Sequence, residues 1–85
     1  MDWNVEDLRV TGDRSVSVTF RDGLSGTVSF APTFFRGVFS PLADPRIFRQ
    51  ARVEHGALVW PGNVDLAPDA LYDSLAATEG ELLLV

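Results

Sequence analysis

The sequence predicts an α+β domain, and three observations carry that reading. Ser15-Val16-Ser17-Val18-Thr19-Phe20 alternates strictly, which puts Val16, Val18 and Phe20 on one face of a strand. Asp44-Pro45 and Ala67-Pro68 mark two helix starts, because proline loses nothing at the first helical position by lacking its N–H. Between them Glu54-His55-Gly56 turns the chain between two short strands, near Arg52-Val53 and Leu58-Val59-Trp60. The expected order is an antiparallel β-meander of three strands, a short helix, a β-hairpin and a C-terminal helix, all in one small domain over residues 1–85.

The meander opens with Leu8 and Val10, which alternate with Arg9 and Thr11 and so face one way. Gly12-Asp13 breaks this strand. After Phe20, the Asp22-Gly23 pair is a hairpin signal, since both residue types tolerate positive φ. Gly26-Thr27-Val28-Ser29-Phe30 returns with Val28 and Phe30 inward, leaving an outer face rich in Ser and Thr. Ala31-Pro32 ends it. Phe34, Phe35, Val38 and Phe39 follow and are apolar enough to be buried, with Thr33 available to cap a short helical turn. Such an aromatic cluster is read first as core and second as a ligand pocket.

Asp44 accepts the free N–H groups of the first helix, whose Ile47 and Phe48 face inward and whose Arg46 and Arg49 lie outside. Trp60-Pro61-Gly62-Asn63 closes the hairpin's second strand with residues that accept positive φ. The last helix begins at Pro68. Leu71, Tyr72 and Leu75 form its apolar side, while Asp69 and Asp73 lie outside. Its N-cap position holds Ala67, which has no side-chain oxygen to offer the orphan N–H groups. The tail Leu82-Leu83-Leu84-Val85 is apolar throughout, so it must pack on the core, add a strand or meet another chain.

A chain of 85 residues buries only about 60% of the surface its unfolded form exposes, and so gains from a partner or a homodimer. The absence of cysteine excludes disulfides and thiolate metal sites and fits a reducing compartment. The start MDWNVEDLRV lacks the basic and apolar segments of a signal peptide, and no apolar run approaches the ~20 residues of a membrane span. A soluble, cytoplasmic protein with no membrane partner is expected. The net charge is −5, with seven Arg and no Lys, which disfavours direct nucleic-acid binding. The charge is split along the chain. From Arg36 to Arg52 there are four Arg and one Asp, whereas from Glu54 onward there are six carboxylates and no Arg. Such a split can steer a partner or a second copy.

Catalytic chemistry is thinly represented. His55 is the single histidine, sits in an expected turn, and has no nucleophile motif beside it. Its neighbour Glu54 is expected to point to the opposite face. Asp65, Asp69 and Asp73 carry oxygens but not the spacing of a cation-binding loop, and read as a solvated acidic face. The isolated glycines form no phosphate cradle, and the strand serines lack the nucleophile-elbow pattern. No catalytic residue, metal or cofactor is assigned, and the chain is read as no enzyme. The residues suited to contacting a protein are Arg46, Arg49 and Arg52 as one basic patch, Trp60 and Tyr72 as amphipathic aromatics, and Leu83 and Val85 in the tail. Trp60 is read first as a core anchor beside the Pro-Gly-Asn loop.

Four motifs together resemble a known bacterial family. They are Phe20-x-Asp22-Gly23, then Val38-Phe39-x-Pro41-Leu42-x-Asp44-Pro45-x-x-Phe48, then Val59-Trp60-Pro61, and then Asp65-Leu66-x-Pro68-Asp69-x-Leu71-Tyr72. The combination is similar to the family named domain of unknown function 2442. The resemblance implies an α+β fold and, through members that look like the second gene of a pair, an antitoxin-like role. It implies no catalytic residues. Two positions depart from the family's pattern. Gly62-Asn63 stands where Asn-Gly is usual, and Ala67 stands where a capping residue is usual. The function expected is a non-enzymatic protein-interaction module. The alternative is a small ligand-binding protein or hydrolase using His55 and the aromatic cluster of Phe34, Phe35 and Phe39.

Overall fold

The structure is a computed structural model and describes residues 3–85. Two sheets and two helices enclose one apolar core, an α+β architecture. The first three strands, β1 (Val5–Gly12), β2 (Ser15–Phe20) and β3 (Ser25–Phe30), form the antiparallel meander. Strict alternation in β2 has the result expected of it, with Val16, Val18 and Phe20 fully buried and Ser15, Ser17 and Thr19 half-buried on the outer face. Val28 and Phe30 continue the inner face on β3. The β2–β3 turn differs in detail from the expected one. Only Gly23 takes positive φ, +98°, while Asp22 does not and instead accepts the Leu24 N–H at 3.0 Å. Phe20 closes the turn by bonding both Gly23 N and Leu24 O, the pattern of a three-residue loop. The hairpin with two left-handed corners is the next one, where His55 (φ 52°) and Gly56 (φ 78°) join β4 (Arg52–Glu54) to β5 (Ala57–Trp60).

Residues 31–44 are largely 3₁₀ turns, Pro32–Phe34 and Gly37–Ala43, the second with Pro41 inside it. Thr33 lies within the first turn and caps nothing; the N-cap is Ala31, without a side-chain bond. Phe34, Phe35 and Phe39 are half-buried, but Val38 is 70% exposed, against the expectation that it packs inside. A 3₁₀ segment presents three residues per turn, so a spacing read as one apolar stripe does not bury all four side chains. Phe30 is the hub. Its ring meets Phe34, Phe48 and Trp60 edge-on at 5.2, 5.3 and 6.1 Å between centroids, and stacks on Phe35 at 6.2 Å.

Helix α1 (Pro45–Phe48) starts as expected, with Asp44 Oδ1 accepting the Arg46 N–H at 2.9 Å. The hairpin gains a third strand, β6 (Val64–Leu66), which pairs with β5 after the Pro61-Gly62-Asn63 loop. Gly62 and Asn63 both take positive φ there. Helix α2 (Pro68–Ala77) buries Leu71 and Leu75, and its N-cap Ala67 makes no side-chain bond. The two sheets meet where the Val5 N–H donates to Gly56 O at 2.8 Å. No buried side-chain nitrogen or oxygen among the described residues lacks a hydrogen-bond partner. No helix among them is long and apolar enough to cross a membrane.

Candidate interaction surface

The tail does form a strand, and where it lies decides what surface it makes. Helix α2 ends in a left-handed reversal, with Glu79 at φ 56° and the Gly80 N–H returning to Leu75 O at 2.9 Å. This reversal lays β7 (Glu81–Leu84) beside β3, parallel to it, as the fourth strand in the order β1-β2-β3-β7. The Thr27 N–H donates to Gly80 O and the Ala31 N–H to Leu84 O, both at 2.8 Å. A parallel ladder uses alternate residues. Gly80, Leu82 and Leu84 therefore turn their peptide groups to β3, and Glu81, Leu83 and Val85 turn theirs away along the outer edge, where the Glu81 N–H donates back to Thr78 O at 3.3 Å. The side chains of Leu82 and Leu84 are half-buried toward the core, whereas Leu83 is 59% and Val85 72% exposed.

Other sheet edges are protected. β1 carries two register shifts along its pairing with β2 and the exposed charges Glu6, Asp7 and Arg9. β4 is three residues long and carries Arg52 and Glu54. Charges, bulges and brevity are the usual means of keeping an edge from pairing with another chain. β7 pairs with β3 without a register shift and has one charged residue, Glu81, in Glu-Leu-Leu-Leu. On its inner side an apolar groove of about 230 Å³ runs between β7 and α2. Leu82 and Leu84 form one wall and Ala67, Ala70 and Ser74 the other, and the small helix residues leave the groove open.

The remaining candidate residues are dispersed. Trp60 is in the core, 1% exposed, with its indole N–H donating to Phe48 O at 3.0 Å, so this fold keeps it from any partner. Arg46, Arg49 and Arg52 are all exposed, but two of them are neutralised locally. Arg46 pairs with Asp44 at 3.0 Å, which holds the Asp44 carboxyl below its ordinary range and raises the guanidinium, and Arg52 pairs with Glu54. The basic patch read from sequence is thereby reduced to Arg49 with two screened neighbours. Tyr72 is half-buried, its ring edge-on to Phe20 at 5.1 Å and its hydroxyl donating to Asp22 Oδ2. That bond raises the Tyr72 pKa and, with the Leu24 N–H as a second donor, lowers that of Asp22.

His55 is exposed and lines a shallow hollow on the outer face of the three-stranded sheet, together with Arg52, Glu54, Asn63 and Asp65. Glu54 and His55 thus border the same hollow, contrary to the opposite-face expectation, because His55 is a turn residue and not a strand residue. None of the Phe cluster lines that hollow; Phe34 borders the β7–α2 groove instead. The pairing of His55 with the aromatic cluster is therefore not assembled. No group of three His, Asp or Glu among the described residues gathers to hold a metal, and Asp65, Asp69 and Asp73 are exposed on β6 and α2.

The family model described as Protein of unknown function (DUF2442) matches residues 5–76. The chain belongs to this family. No curated protein and no solved structure matches it. Several of the DUF2442 motif residues are architectural. Asp44 caps α1, Phe48 and Trp60 fill the core, and Asp22 ties the β2–β3 turn to Tyr72 on α2. β7 lies beyond the matched residues, so the free edge is a feature of this chain read directly from its structure. In sequence, the apolar tail Leu82-Leu83-Leu84-Val85 is its visible signal, read there as one that packs on the core, adds a strand or meets another chain.

Proposed function

We propose that this DUF2442 protein is a non-enzymatic protein-interaction module that engages another polypeptide through the β7 side of its four-stranded sheet. One observation carries the reading: β7 is an apolar edge strand that turns the peptide group of Leu83 outward and exposes Leu83 and Val85, while the other edges carry charges, register shifts or very short strands. Strand addition at such an edge takes its affinity from main-chain hydrogen bonds and its selectivity from alternate side chains. In the two-gene setting implied by the family resemblance, the module acts as the antitoxin-like member, present in the cytoplasm and sequestering its partner by contact without chemistry.

Leu83→Asp places a charge in the middle of the edge without touching the core. Parent and variant are purified under native conditions and compared by sedimentation for anything that travels with them, a second copy included. The expected result is an association made by the parent and lost by the variant. An association unchanged in the variant would overturn the reading, as would a hydrolytic activity that His55→Ala lowers by about a hundredfold, the effect of losing a general base.

A further inference from the structure

Resting on that reading, we infer that the polypeptide received by β7 is a second copy of this chain, added antiparallel about a two-fold axis through Leu83. Register specifies this dimer. The residues with outward peptide groups are Glu81, Leu83 and Val85, so an antiparallel partner bonds to these and no others. A dyad at Leu83 sets Leu83 against Leu83 of the second copy, the two exchanging a pair of N–H···O bonds, and Glu81 against its Val85, where the Glu81 carbonyl accepts the Val85 N–H while the Glu81 N–H stays on Thr78 O. The four-stranded sheets then run on as one.

At the centre of the join both faces are apolar to apolar, with Glu81 opposite Val85 only at its two ends. On the outer face the two exposed Leu83 side chains cover each other. On the inner face Leu82 lies opposite Leu84 of the second copy, and these leucines stand over the groove of about 230 Å³ that Ala70 and Ser74 leave open. A C2 interface must be complementary to itself, and a short strand apolar on both faces satisfies that condition. The charges also tolerate this dyad, and it pairs more outward residues than an axis nearer Val85. With four residue steps from Glu81 to Val85, the two Glu81 positions sit ~14 Å apart at ~3.4 Å per residue. That exceeds the ~8 Å screening length at physiological ionic strength. Sliding the axis toward Glu81 brings the carboxylates together and leaves Val85 unpaired.

The chain has no cysteine, so single thiols report the geometry cleanly. Residues facing each other in a hydrogen-bonded antiparallel pair have Cα atoms ~5.5 Å apart, inside the range a disulfide spans. Under mild oxidation Leu83→Cys is expected to become a disulfide-linked dimer at least tenfold faster than Val38→Cys, a more exposed apolar position elsewhere, 70% accessible. Glu81→Cys mixed with Val85→Cys is expected to give the mixed disulfide, and Glu81→Cys alone to form no disulfide on the same timescale. Equal rates for Leu83→Cys and Val38→Cys would overturn the dimer. So would a fast Glu81→Cys homodimer, which would place the axis elsewhere. If Leu83→Asp releases a different protein while Leu83→Cys fails to crosslink, the second copy is wrong and the interaction reading survives. If neither substitution has an effect, both fall.

Discussion

Tyr72 shows how one side chain can hold distant segments together, because its ring packs edge-on to Phe20 while its hydroxyl reaches Asp22, fifty positions away in sequence. The bond has a pH signature whose sign follows from its two shifts. Asp22 is lowered from 3.8, so its contribution is present above that value and lost as pH falls through the depressed one. Tyr72 is raised from 10.0, so its contribution is full below that value and lost as pH rises through the elevated one. Tyr72→Phe keeps the ring and removes the bond. It should therefore be less stable than the parent between roughly pH 4 and pH 10, with the gap closing toward both ends. Urea melts across that range test it, and a gap independent of pH would mean the loss is one of packing alone. Sequence reasoning identifies Tyr72 and Trp60 as amphipathic aromatics and reads Trp60 first as a core anchor, where the structure has it, but names no partner for either polar tip. What separates them is the partner of each polar tip, a buried carbonyl of Phe48 for Trp60 and an exposed carboxylate for Tyr72, and both partners are brought there by the fold.

Strands and helices with their own periodicity or cap were legible at the level of the element. β2 and β3 alternate because one face is buried and the other is not, and Asp44-Pro45 and Pro68 carry their start signals in the local chain. β6 was missed because three residues, Val64-Asp65-Leu66, are too few to show a period. The 3₁₀ stretch Gly37–Ala43 was missed because its three-residue repeat matches neither template. β7 was foreseen as one of three fates for an apolar tail, but its parallel register with β3 depends on where α2 delivers the chain. That register is fixed by a close approach of two backbones. A Cβ on Gly26 would stand 2.4 Å from Gly80 O and 2.8 Å from both Gly80 Cα and C. Backbone cannot swing aside as a side chain can. Gly26→Ala should therefore force β3 and β7 apart at a cost of about 1–3 kcal/mol, the range for overpacking. Equal denaturation midpoints for parent and variant would show that the approach is relaxed at little cost.

Across the whole molecule, β7 closes the structure over a long span, and this has a consequence for the order of events in folding. The meander pairs neighbours joined by short turns, whereas Thr27 and Glu81 meet only after roughly 50 residues of intervening chain have been organised. Local contacts form early and distant ones wait for the loop entropy to be offset by other packing. β3 is thus itself an open edge during the search for the native state, and β7 covers it last. Leu84→Ala, made in the Leu83→Asp background to keep association out of the kinetics, should speed unfolding and leave the folding rate unchanged, as for a side chain whose contacts form after the rate-limiting step. Stopped-flow chevrons separate the two limbs. If the folding limb slows instead, the tail is already in place at the barrier, and the strand that finishes the sheet would be part of the nucleus from which the sheet grows.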